Sequence, residues 1–194
     1  MEEKKRNIDR RLEQKIGFDQ IRRIISDRCS TAYAVERTAT ETFSTNQAHI
    51  RKRLLLTDEM RLIMMFEDGF PSGGFIDCID FLKPLERSSS AIDLLSLRKL
   101  KTMLETLRKV TSFFEGIKDG VYPNLKRMSS RILNFPEIQR RIDGILDRYG
   151  DVKDTASDEL YSIRKSLREK EGTISRRMTA ILKKAQEEGI VDSD

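Results

Sequence analysis

Apolar residues recur three and four positions apart through most of this 194-residue chain, the spacing of helices buried along one side. Ile8, Leu12 and Ile16 make a narrow stripe in a charged opening stretch, which Gly17 breaks. Phe18, Ile21, Ile24 and Ile25 predict a short amphipathic helix ending near Asp27 to Cys29. Ser30 or Thr31 is placed to cap a further helix to about Thr40, whose small apolar residues imply close packing. Ser44, Thr45 and Asn46 offer caps for a long element with Ile50, Leu54, Met60, Leu62, Ile63, Met64 and Phe66, and Gly69 is available as a left-handed stop. Its methionines fit adaptable core filling better than a metal or cofactor box.

Phe70 to Asp77, with Pro71 and the Gly73–Gly74 pair, reads as a turn. A phosphate-binding loop needs spaced glycines followed by lysine and a hydroxyl residue, and no Gly-Lys dipeptide occurs in the chain. Cys78, Phe81, Leu82 and Leu85 suggest a short helix interrupted by Pro84 and by Ser88 to Ser90. From about Asp93 to Glu115 a broad apolar face (Leu97, Leu100, Met103, Leu104, Leu107, Val110, Phe113, Phe114) predicts a core helix. Pro123 suits the first position of another helix carrying Leu125, Met128 and Ile132, and Pro136 restarts helix with Ile138, Ile142 and Ile145 inward.

The stretch from Ile142 to Glu188 organises the rest. Asp143, Asp147, Asp151, Asp154 and Asp158 crowd its first part. A calcium loop starting at Asp147 fails in register, because Arg148, Tyr149 and Lys153 occupy places that oxygen ligands need. The acids fit a tight turn over Asp147 to Lys153, with Asp154 or Thr155 capping the next helix and Thr155/Asp158 as a capping box. From there Leu160, Ile163, Leu167, Ile174, Met178, Ile181 and Ala185 form one stripe, interrupted by Glu171, with Gly172 a point where the helix can bend. Some thirty helical residues reach about 45 Å. So narrow a stripe suits one neighbouring helix, which implies half of an antiparallel pair and a chain that is a piece of something longer.

Composition narrows the class. There is no Trp, and 38% of residues are hydrophobic, fewer than a large core needs. The expectation is an all-α chain with a modest core. Charges of both signs are interleaved, 37 basic against 32 acidic, for a net +5. An excess gathers at Arg98, Lys99, Lys101, Arg108, Lys109, Lys118, Lys126, Arg127 and Arg131, which suits a solvated face better than a nucleic-acid surface, since no aromatic residues are interleaved for stacking. Two cysteines and one histidine offer neither a disulfide framework nor a metal cluster. The charged opening residues and the short apolar runs predict no signal peptide, no membrane partner and a cytoplasmic location.

One resemblance adds to these readings. Gly150, Val152, Asp154, Ala156, Ser157, Leu160, Ile163 and Arg164 match a segment shared by MutS-like ATPases. Ile16-Gly17-Phe18-Asp19-Gln20-Ile21, Gly73-Gly74-Phe75-Ile76-Asp77 and Leu82-Lys83-Pro84-Leu85 resemble the paralogue branch called MutS type two, in order and over most of residues 12–190. The resemblance implies a non-catalytic N-terminal core and lever: an N-terminal extension (1–15), a helical core (16–153), a lever helix leading toward a clamp (154–188) and a tail (189–194). The whole protein is implied to be a homodimeric ATPase using ATP and magnesium, with a C-terminal endonuclease domain. It is implied to suppress homologous recombination and to rescue stalled or collided ribosomes, through DNA and ribosomal RNA contacts made largely elsewhere. No catalytic, cofactor-binding or metal-ligating residue is expected in these 194. Candidate nucleic-acid contacts are Arg168, Lys170, Arg176, Arg177, Lys183 and Lys184. The competing expectation is a self-standing helical module that pairs through its long amphipathic helix.

Overall fold

The computed structural model describes residues 11–87 and 90–190; Ile8, Ser88, Ser89 and the tail beyond 190 lie outside the described residues. The fold is all-α. Among the described residues the one extended pairing is an isolated antiparallel bridge between Leu146 and Val152. By compactness the chain divides between Pro136 and Glu137 into two units. The segment Glu137–Lys153, which the sequence groups with the core, lies in the second.

In the first unit α1 is described over residues 11–15 and is followed by α2 (Phe18–Ser26), α3 (Ala32–Thr40) and α4 (Gln47–Phe66). Then come α5 (Ile79–Leu82), a 3₁₀ turn at Lys83–Glu86, α6 (Leu94–Gly116) and α7 (Pro123–Ser129). Three of these helices, α3, α4 and α6, start on a side-chain cap, whereas α2 starts on Gly17 without one. The Thr31 hydroxyl accepts from Ala34 N, the Asn46 amide oxygen from His49 N, and the Asp93 carboxylate from Ser96 N, each relieving one of the unpaired donors at a helix start. Pro123 opens α7, where a missing N–H costs nothing.

The core sits where α4, α6 and α7 meet. Ile63 is completely buried, with Val110, Phe114 and Tyr122 around it. Phe70, Phe113 and Phe114 pack edge to face, with adjacent centroids at 5.2 Å for Phe70–Phe113 and for Phe113–Phe114. Each such side chain contributes roughly 1.5–3 kcal/mol by leaving water. Around this core Glu59 is buried and turned to the start of α7, and Tyr122 Oη donates to Glu67 Oε1 at 3.0 Å. The turn before α5 lies close on α6: a Cβ added to Gly74 would collide with Thr106 Oγ1, and Gly74 holds φ +82°.

Several burial expectations are corrected. Met64 and Met65 are 59% exposed and Phe66 71%, so this stretch of α4 is not core filling. The helix is apolar around most of its circumference, and only the stripe holding Glu59 and Ile63 is buried. Gly69 (φ +87°) does not stop α4, which ends at Phe66 with Glu67 already extended. Neither α2 nor α3 has a buried residue; they lean on each other through the Arg22 guanidinium, which donates to the Thr38 carbonyl and to Glu13.

In the second unit α8 (Pro136–Ile145) leads through a turn and a 3₁₀ turn (Asp154–Ala156) into α9 (Asp158–Glu187), thirty residues long. Only Ile142 of the three expected isoleucines of α8 is buried; Ile138 and Ile145 are 45% and 37% exposed, and Leu146 takes the inward place at 1%.

Candidate mechanical junction and helix interface

The turn between α8 and α9 is built around one carboxylate. Asp147 Oδ1 accepts from Tyr149 N at 2.8 Å and from Asp151 N at 2.9 Å, while Asp147 N donates to Asp151 O at 2.9 Å. Gly150 completes the reversal at φ +85°, a region that a Cβ penalises, and donates to Asp147 O. The Leu146–Val152 bridge closes the turn, and Lys153 Nζ reaches back to the Asp143 carbonyl at 2.6 Å. The backbone N–H groups, Asp151 foremost, hold the Asp147 carboxyl below its usual range.

A second knot ties this turn to the base of α9. Arg164 Nη1 donates to Asp154 Oδ1 at 2.6 Å and to the Val152 carbonyl at 2.9 Å, and Arg168 Nη1 donates to Asp154 Oδ2 at 2.8 Å. Both oxygens of Asp154 are therefore occupied by guanidinium groups one helical turn apart. The Arg164 hydrogen bond, then that of Arg168, lowers the Asp154 carboxyl from its usual value. Because Asp154 is spent on arginines inside a 3₁₀ turn, it does not cap α9, and neither does Thr155. Ser157 is the cap: its backbone is extended and its hydroxyl accepts from Leu160 N at 3.1 Å, with Asp158 and Glu159 in the first turn facing the helix dipole. The expected Thr155/Asp158 capping box is replaced by this arrangement.

The motif residues thus take separate places. Gly150 and Val152 shape the turn, Asp154 and Arg164 join turn to helix, and Ala156 N closes the 3₁₀ turn onto the Lys153 carbonyl at 3.1 Å. Leu160 is half-buried, whereas Ile163 is 66% exposed. Beyond the base α9 runs unbroken through Gly172 and buries no residue; Ile174, Met178 and Ile181 are each at least 60% exposed.

The candidate nucleic-acid contacts do not act as one group. Arg168 is held by Asp154. With about 3.6 residues per turn, Arg176 and Lys183 fall, with Lys165, on the face opposite the apolar stripe. Lys170, Arg177 and Lys184 fall along one edge of the stripe itself. Sequence reasoning missed the double claim on Asp154; the signal available to it was two arginines four apart, ten and fourteen residues beyond an aspartate in a turn.

The remaining features offer little chemistry. The Gly73–Gly74 turn is no phosphate cradle, since Thr106 and Thr102 fill the space beyond Gly74. An apolar hollow of about 420 Å³ beside it is lined by Tyr33, Phe75, Ile79, Met103 and Cys78. Burial, and then the neighbouring Asp77, pushes the Cys78 thiol up, away from the thiolate a nucleophile requires. Among the described residues no three His, Cys, Asp or Glu side chains group as metal ligands, and no described helix is long and apolar enough to cross a membrane.

No family model matches the chain. Curated proteins do. It is 26% identical over 177 residues to Endonuclease MutS2 of Thermomicrobium roseum, covering 89% of this chain and 22% of that protein. Against Endonuclease MutS2 of Alkaliphilus oremlandii it is 23% identical over 171 residues, 88% of this chain and 22% of the relative. Against that of Listeria welshimeri it is 25% identical over 178 residues, 91% and 22%. The chain is a relative of these proteins over nearly all its own length, and it spans about a fifth of theirs.

Proposed function

We propose that this chain is the non-catalytic helical part of a MutS2-like, DNA-acting ATPase, in which α9 is a stiff arm coupling the nucleotide-binding domain to a DNA clamp. The junction carries the reading. A long helix with no buried residue is held at its base by the Asp147 turn and the Asp154–Arg164–Arg168 knot. Such an element transmits a rotation of its base to its far end. The relatives' name supports DNA as the substrate class and hydrolysis of nucleic acid as an activity of the whole protein. ATP, magnesium, the nuclease and the dimer contact belong, on this reading, to parts of the polypeptide outside these residues, and none of the residues here is assigned to them. Suppression of homologous recombination and rescue of stalled or collided ribosomes are the proposed settings.

Direct DNA contact is assigned to Lys165, Arg176 and Lys183, on the face of α9 opposite the apolar stripe. Such contacts release counterions, so affinity falls by about 0.9 log unit per log unit of salt for each phosphate neutralised. The test takes the chain alone and the chain extended through an ATPase domain. The chain alone is expected to hydrolyse no ATP and nick no DNA. In the longer protein Arg164→Ala is expected to leave DNA affinity intact while uncoupling it from ATP turnover. Hydrolysis by the isolated chain, or full DNA stimulation in the Arg164 variant, overturns the reading.

A further inference from the structure

The apolar hollow beside the Gly73–Gly74 turn has a volume of about 420 Å³, within the range of sites that hold small ligands. Its walls come from three places in the first unit: the start of α3, the segment leading into α5, and Met103 of α6. The polar groups in those walls are largely spent. Thr31 Oγ1 accepts from Ala34 N at 3.1 Å, and Asp77 Oδ1 accepts from Ile79 N at 3.1 Å. Both backbone groups of Ile76 are used as well, its N–H donating to Met103 Sδ and its carbonyl accepting from Cys78 Sγ, each at 3.5 Å. What the walls offer is aromatic and aliphatic surface and two sulfurs. At the rim stands Tyr33, 57% exposed, whose hydroxyl no described residue engages. A space with such walls favours apolar ligands over water.

We propose that this hollow binds a small uncharged aromatic molecule of one or two rings, held by Phe75 and the Met103 thioether, with one polar group at the Tyr33 hydroxyl. Rings pair favourably with other rings and with methionine sulfur. Other ligands fit the walls less well. An anion would meet the Asp77 carboxylate. A nucleobase would bury its donors and acceptors against groups that already have partners. An extended peptide needs main-chain partners, and the walls have none to spare. The ligand would also have a mechanical effect. Neither α2 nor α3 buries a residue of its own, so a molecule touching both α3 and α6 adds to what holds that pair against the core. The inference stands on the first unit alone and does not depend on the DNA-acting reading.

2-Naphthol is a suitable probe, because the chain has no tryptophan to obscure its emission. Titrated into the purified chain, it is expected to bind about tenfold tighter than naphthalene-2-carboxylate or adenosine, both measured by displacement. Ile79→Asp, at a wall position 59% exposed, adds a carboxylate and should weaken 2-naphthol about tenfold. Tyr33→Phe should weaken it about fivefold, the worth of one neutral hydrogen bond, and leave naphthalene itself unaffected. In a Cys29→Ser background Cys78 is the one thiol, and saturating 2-naphthol should slow its reaction with methyl methanethiosulfonate about fivefold, read by mass spectrometry. Leu54→Asp with Met64→Asp, on the exposed apolar surface of α4, should leave binding unchanged, which separates the hollow from general stickiness. Circular dichroism checks the fold of each variant. Absence of saturable binding at millimolar 2-naphthol overturns the inference, as does equal affinity for the carboxylate or for adenosine. Unchanged affinity in a folded Ile79→Asp chain, an unprotected Cys78, or binding lost in the α4 variant does the same.

Discussion

Glu59 of α4 caps α7 across sixty-six residues of chain: its Oε2 accepts from Leu125 N at 2.7 Å, and its Oε1 from Asn124 N at 3.1 Å and Asn124 Nδ2 at 2.6 Å. A buried carboxylate thus satisfies the donors that Pro123 leaves at the start of a seven-residue helix too short to hold itself. Glu59→Ala should destabilise the first unit by about 2 kcal/mol, the cost of leaving buried donors unpaired. Glu59→Gln keeps one acceptor and should cost less. Urea unfolding followed by far-ultraviolet circular dichroism measures both; equal stability of all three proteins would mean that water replaces the cap without loss.

Gly74 and Thr106 test how closely the turn before α5 must lie on α6. Gly74→Ala places a methyl group against the Thr106 hydroxyl at a backbone conformation disfavoured for L-residues, and should cost roughly 3 kcal/mol. Adding Thr106→Ala removes the collision and should leave about 1 kcal/mol of backbone strain. A double variant no more stable than the single one would place the whole cost in the backbone.

Acid should loosen the base of α9. Arg164 and Arg168 depress the Asp154 carboxyl, so its contribution is fully present above the ordinary aspartate value near pH 4 and is lost as pH falls through the lower folded value. Amide exchange over residues 152–164 should therefore stay slow from pH 6 to about pH 4, after correction for intrinsic rates, and quicken below it. Asp154→Asn should show the fast behaviour throughout. Because Asp147 is depressed as well, by its backbone donors, a variant that still responds to acid would assign the transition to the turn.

Gly172 faces open space in the middle of α9. Gly172→Ala should stabilise the helix there by about 1 kcal/mol, seen as roughly fivefold slower exchange around the site. Faster exchange would mean that the glycine serves a bend.

Much of the local structure was legible. Thr31, Asn46, Asp93 and Pro123 stand at helix starts because capping is decided within three residues, and the aspartate-rich run resolved into a turn for the same reason. The resemblance to the MutS branch drew on the same local residues and agrees with the relatives found. What escaped the sequence was decided at a distance or by what covers a surface. Glu59 reads as an ordinary charged residue of α4 until α7 is folded against it. Met64 and Phe66 have core composition, but periodicity states which residues are apolar and not which of them find a neighbour. At the junction an aspartate before a helix suggests a cap. Only the fold shows two arginines arriving from the next two turns to take it, leaving Ser157 to do the capping.

The junction also differs from the core in how far apart along the chain its partners lie. Every bond described in the turn and at the base of α9 joins residues fourteen or fewer positions apart, whereas α4 and α7 meet across sixty-five and sixty-six. The entropy of closing a loop grows with its length, and contacts between near neighbours form first. The elbow should therefore take shape as soon as its own residues exist, on a microsecond scale, while the first unit must wait for a long search. In a refolding experiment the turn between α8 and α9 would be set before the first unit had a core.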